Sequence, residues 1–117
     1  MKSVTQIKSE KRGRIKKRIR SRVFGTLEKP RLSVYRSNRN MYVQVIDDTT
    51  GTTIASASDI KETKGTKRER AVIVGKTIAQ LLKDKKISKV VFDRNGFKYT
   101  GRIEIVAQTA RDGGLEF

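Results

Sequence analysis

Residues 31–47 read RLSVYRSNRNMYVQVID, two runs that alternate with a period of two. In the first, Leu32 and Val34 fall on one side and Arg31, Ser33 and Tyr35 on the other. In the second, Met41, Val43 and Val45 oppose Tyr42, Gln44 and Ile46. Side chains of a strand alternate between the two faces of a sheet, so each run predicts a strand with one buried face. The polar SNRN between them predicts a tight connection and antiparallel pairing. Downstream, DDTTG is a second turn, and TTIASAS at 52–58 is a third strand. Residues 31–58 therefore predict a three-stranded antiparallel meander, entered at Pro30.

Past a polar loop at 59–66 the period changes. Ala71, Val74, Ile78 and Leu82 recur at helical spacing, flanked by Val72, Gly75, Ala79 and Leu81, and predict a helix from about Lys67 to Lys85. Lys83, Lys85 and Lys86 suit its C-terminus. The apolar run KVVFD at 89–93 then reads as a buried strand reached by a crossover, parallel to the first strand. Ile103, Val106, Ala107 and Ala110 mark a final helix, with Gly113 and Gly114 past its end. The pattern is that of a single α/β domain over residues 26–117.

Residues 1–25 form a different region. Ten of the first 22 residues are Lys or Arg, opposed only by Glu10. The whole chain has 117 residues and a formal net charge of +16, and residues 1–40 hold 14 basic side chains against 2 acidic ones. Helical character is weak: Ile15 and Ile19 sit four apart, Gly13 weakens the helix, and Gly25 is expected to end it. So dense a charge calls for a polyanion. Lys8, Lys11, Arg12, Arg14, Lys16, Lys17, Arg18, Arg20 and Arg22 are the expected phosphate contacts. A secretory signal is excluded by the lack of an apolar h-region. An organellar transit peptide would share the composition, but this segment runs almost directly into the folded domain.

Without Cys or His, disulfides, zinc–thiolate sites and the commonest general base are absent. Asp47, Asp48, Asp59 and Asp93 are the carboxylates to weigh as Mg²⁺ ligands. Each falls at a turn or a strand end, where structural roles suffice. No residue pattern supports an enzyme, a cofactor, a metal site or a small-molecule substrate.

The stretch FDRNGFKYTGR at 92–102 combines Arg94, Lys98 and Arg102 with Phe97 and Tyr99 around two glycines. Basic groups hold phosphates, and aromatic faces stack on unpaired bases. The turn Arg36, Ser37, Asn38 has a similar makeup, and Arg31 opens the strand leading to it. A solvated edge covered by Phe97 and Tyr99 is the bland alternative. Alongside the basic tail, RNA binding is the better reading.

These same segments, PRLSVYRSNRNMYVQVIDD, VGKTIAQ and VVFDRNGFKYTGRIEIVAQTARDGGLEF, closely resemble the bacterial-type family of large-subunit ribosomal protein eighteen, in order and over essentially the whole chain. Asn95 and Thr100 depart from its usual pattern. The resemblance implies a 5S rRNA-binding protein that helps attach 5S to 23S rRNA in the central protuberance, beside neighbouring large-subunit proteins. It also implies a ribonuclease-H-like topology without nuclease activity, and a place on the cytoplasmic bacterial ribosome, with an organellar ribosome left open. A non-ribosomal architectural DNA-binding protein would share the charge but needs a groove-reading element. A membrane-surface binder needs more apolar residues than Ile15 and Ile19.

Overall fold

The computed structural model describes residues 4–20, 23–62 and 64–117, with side chains from residue 9 to 18 in the first of these segments. Helix α1 spans Val4–Arg20, followed by strands β1 (Arg31–Arg36), β2 (Met41–Asp47) and β3 (Thr52–Ser58). Helix α2 (Lys67–Asp84), strand β4 (Val91–Asp93) and helix α3 (Gly101–Asp112) complete the chain. The sheet order is β3-β2-β1-β4, with β1 antiparallel to β2 and parallel to β4.

The alternation in the sequence becomes the two faces of this sheet. Leu32 lies opposite Val45 and Val34 opposite Val43, and Val45 lies opposite Ala55 on β3. All are buried, together with the α2 stripe Ala71, Val74, Ile78 and Leu82 and the α3 stripe Ile103, Val106 and Ala110. Each fully buried Val, Leu or Ile contributes about 1.5–3 kcal/mol, so this layer of sheet on two helices carries the fold. The helices meet closely at Gly75, where a Cβ would lie 2.7 Å from that of Thr109 and 2.9 Å from the Val106 carbonyl. Thr66 begins α2, its hydroxyl accepting from the Glu69 N–H at 3.2 Å.

Two elements differ from expectation in detail. The fourth strand is shorter than KVVFD: the paired residues are Val91–Asp93, while Lys89 bridges to Glu116 as the C-terminus runs alongside. The N-terminal helix reaches Arg20 rather than Gly25. Gly25 instead belongs to the packing of the domain. Its N–H donates to Asp48 Oδ2 at 2.8 Å, and a Cβ there would collide with the backbone nitrogen of Arg31 and approach the Ile46 carbonyl to 2.6 Å. Residue 25 is a glycine because two strands leave no room for a side chain, not because a helix stops there. Among the described residues no helix is long and apolar enough to cross a membrane.

Candidate RNA interface

The sheet face turned away from α2 and α3 is polar and partly open. Tyr35 and Tyr42 stand opposite each other on β1 and β2, their rings 6.2 Å apart and tilted by 46°. A groove of about 420 Å³ runs past them, lined by Lys16 of α1, by Ser33, Gln44 and Ile46 of the sheet, and by Arg31 and Asn95.

The turn after β4 holds α1 against this face. Asn95 and Gly96 both take positive φ, 52° and 79°, and reverse the chain. Asn tolerates that conformation, and here its side chain is also bonded, donating from Nδ2 to Ser33 Oγ at 2.5 Å and to the Val34 carbonyl at 2.9 Å. Gly96 lies directly under α1: a Cβ would be 2.6 Å from the Arg12 carbonyl and 3.3 Å from the Lys16 nitrogen. Phe97 follows, only 8% exposed. The guanidinium of Arg12 lies 5.0 Å from its ring centre and that of Arg36 5.6 Å, while Tyr35 meets it edge-on at 5.5 Å. Two regions distant in sequence, α1 and the end of β1, thus converge on the Phe97 ring.

The β1–β2 turn closes the rim. The Ser37 N–H donates to the Asn40 carbonyl at 2.9 Å, and the Asn40 N–H donates back to Ser37 Oγ at 3.1 Å. Arg102, at the start of α3, donates from Nη2 to the Ser37 carbonyl at 2.9 Å. Burial, and then the positive charges of Arg36 and Arg70, press the Arg102 guanidinium below its ordinary pKa, with Asp59 opposing. Arg12, Arg36, Ser37 and Asn38 line a shallow hollow beside Tyr35 and Phe97. Cations crowded this closely, with no carboxylate among the described residues that line the hollow, are suited to an anion.

The expected site residues divide by what they touch. Lys11, Arg12, Arg14, Lys16, Lys17 and Arg18 are exposed on α1. Lys8 and Arg20 have side chains outside the described residues, and Arg22 lies outside them altogether. Arg94 is partly spent internally, donating from Nη1 to the Phe97 carbonyl at 2.6 Å and so closing the turn. Phe97 is a buried hub rather than an open stacking surface.

Arg31 is held inside the domain, although it also lines the groove. It is 4% exposed, and it donates to Asp48 at 2.9 and 3.0 Å and to Asp93 at 2.8 Å. The hydrogen bond to Asp48, outweighing burial and joined by Asp93, raises its pKa. A guanidinium so enclosed is engaged as a structural ion pair. The other acids are likewise engaged: Asp59 accepts from the Met41 N–H at 2.8 Å, and Asp47 accepts from the Thr49 N–H at 3.0 Å.

Tyr99 does not join the Phe97 cluster. Its ring meets Phe92 edge-on at 5.8 Å, and its hydroxyl accepts from Arg111 Nη1 at 3.3 Å. Phe92 in turn stacks on Phe117 at 5.4 Å. Sequence reading also passed over Tyr35 and Tyr42 as interface residues. Their signal was present, since both fall on the polar parity of their strands.

The family model described as ribosomal L18 of archaea, bacteria, mitochondria and chloroplast matches residues 6–117. The large ribosomal subunit protein uL18 of Lactococcus lactis subsp. cremoris is 55% identical over 100 residues, 86% of each chain. That of Lactobacillus acidophilus is 53% identical over 103 residues, 86% of this chain and 87% of its own. That of Porphyromonas gingivalis is 51% identical over 111 residues, 94% of this chain and 97% of its own. With the match running through the basic helix, the sheet and the Phe97 turn alike, the chain belongs to the ribosomal L18 family.

Proposed function

We propose that this chain binds 5S rRNA and helps attach it to 23S rRNA in the central protuberance of a bacterial large subunit, next to other large-subunit proteins. As a member of a ribosomal family the chain is a structural, non-enzymatic protein of the large subunit. The observation that carries the finer reading is the convergence of Arg12, Arg36 and the Ser37 turn around Phe97. Residues 1–25 supply most of the charge as a basic extension, and the domain from about residue 26 supplies a fixed surface. Phosphate contacts from Lys8, Lys11, Arg14, Lys17, Arg18, Arg20 and Arg22 give affinity, and the Arg36–Asn38 turn, braced by Arg102, gives register.

Titration against 5S rRNA, an unrelated RNA of equal length and duplex DNA, at 50 and 200 mM salt, tests this. Six to ten phosphate contacts imply that duplex affinity falls by roughly 10³–10⁵ across that range. The 5S complex should retain an advantage over both competitors at the higher salt. Equal affinity for all three would reduce the chain to a general polyanion binder.

A further inference from the structure

The open sheet face carries more than charge. Two of the chain's three tyrosines stand side by side there, and Tyr35 keeps 48% of its surface exposed. An aromatic face on an open sheet, with a cation and hydrogen-bonding groups beside it, is a surface on which an unpaired base can stack. The rings are tilted at 6.2 Å and leave their faces unshielded by one another. The groove beside them, about 420 Å³, has a cation at its wall in Lys16 and hydrogen-bonding groups in Ser33 and Gln44. Arg36 borders the same ring cluster through Phe97.

We propose that this groove accepts one unpaired nucleotide, its base stacked on Tyr35 and Tyr42 and its phosphate held by Lys16. The proposal rests on the reading of the chain as a 5S rRNA-binding protein and names the class of RNA feature that its sheet recognises. A paired base cannot reach such a floor. An A-form helix presents sugar and phosphate to a flat protein face, while bases in bulges and loops splay out onto aromatic side chains. Gln44, with an amide donor and acceptor, is placed to meet the edge of a base lying on the rings. The basic helix beside the groove would deliver any RNA. The tyrosines would reward only one with a free base.

The test uses the full chain with Tyr35→Leu, Tyr42→Leu, Tyr35→Phe and Tyr42→Phe, each titrated against 5S rRNA and against a fully paired RNA duplex of similar length. Removing a stacking ring should weaken 5S binding by about 5- to 150-fold, and the Phe variants should stay close to wild type. Duplex affinity should be the same for all five proteins. Thermal unfolding of each variant separates binding loss from misfolding. Photo-crosslinking of the wild-type tyrosines, read out by nucleotide, provides a measurement independent of any substitution. Leu variants that fold and keep full 5S affinity, or crosslinks confined to paired nucleotides, would overturn the proposal while leaving 5S recognition standing. Wild-type protein that binds the duplex as tightly as 5S rRNA would overturn the 5S reading and this proposal with it.

Discussion

The carbonyl of Arg12 passes 2.6 Å from where a Cβ on Gly96 would stand, so the basic helix rests on bare backbone. A side chain at 96 is opposed twice, by this contact and by a φ of 79°. Gly96→Ala should cost about 1–2 kcal/mol from the left-handed backbone alone. It should also lift α1 and move Arg12 off Phe97. Denaturant unfolding and RNA titration check this: the domain stays cooperative, and affinity for 5S rRNA falls by more than the stability loss explains. Unchanged affinity would mean that α1 acts only as a tether.

Gly13 makes the opposite case. It lies inside α1, and a Cβ there meets nothing within 4 Å. Gly13→Ala should favour the helix by about 0.5–1 kcal/mol without a clash. If the helix is the RNA-bound form, less ordering energy is spent on binding. RNA affinity should then rise by up to about fivefold, since 1.4 kcal/mol is a factor of ten. Circular dichroism of the free variant and its RNA titration together decide the point.

Arg31 and Asp93, buried side by side at 2.8 Å, predict a stability effect with no binding effect. Asp93→Ala leaves the Arg31 guanidinium with Asp48 alone and the buried Asn95 N–H without its acceptor, and should cost about 1–3 kcal/mol. For a domain of this size each kcal/mol lowers Tm by roughly 4–8 °C, so the loss is readily seen by calorimetry. Arg31→Met should cost more than Asp93→Ala, about 3–5 kcal/mol, because it leaves the buried carboxylates of Asp48 and Asp93 without their shared cation. Once folded, it should bind RNA as wild type does. A selective loss of RNA affinity in Arg31→Met would return Arg31 to the interface.

These residues mark where the sequence is legible. The strands, α2 and α3 are periodic, and a period reports directly on which side of an element is buried. Arg31 sits on the polar parity of β1, and its burial depends on carboxylates 17 and 62 positions away that no local pattern announces. Phe97 and Tyr99 are two apart in the chain, and their spacing alone suggests a shared aromatic surface. The turn at Asn95 and Gly96 and the start of α3 send them to different neighbours, Arg36 for one and Arg111 for the other. The basic tail was legible as charge, but its seat on Gly96 was not, because a glycine's need for close approach shows only when the approaching backbone is known.

Arg14 and Arg102 separate affinity from selectivity. Arg14 is exposed on α1, away from the Phe97 ring, beside Lys11, Ile15 and Arg18. Arg14→Ala should weaken 5S rRNA and unrelated RNA about equally and reduce the salt slope by about one, the signature of a lost phosphate contact. Arg102 instead spends Nη2 on the Ser37 carbonyl, fixing the turn that carries Arg36 and Asn38. A hydrogen bond from a charged donor contributes about 1.5–3 kcal/mol, and Arg102→Ala should lower stability within that range. With the turn loosened, the 5S advantage over unrelated RNA should shrink while affinity for the unrelated RNA barely changes. Arg102→Lys restores charge but not the planar fork, and should rescue the salt slope better than the selectivity. Titrations of the three variants on both RNAs at two salt concentrations give every quantity needed. If Arg102→Ala lost affinity equally for both RNAs, and Arg102→Lys recovered it, Arg102 would be one more phosphate clamp and the rigid turn would not be what sets selectivity.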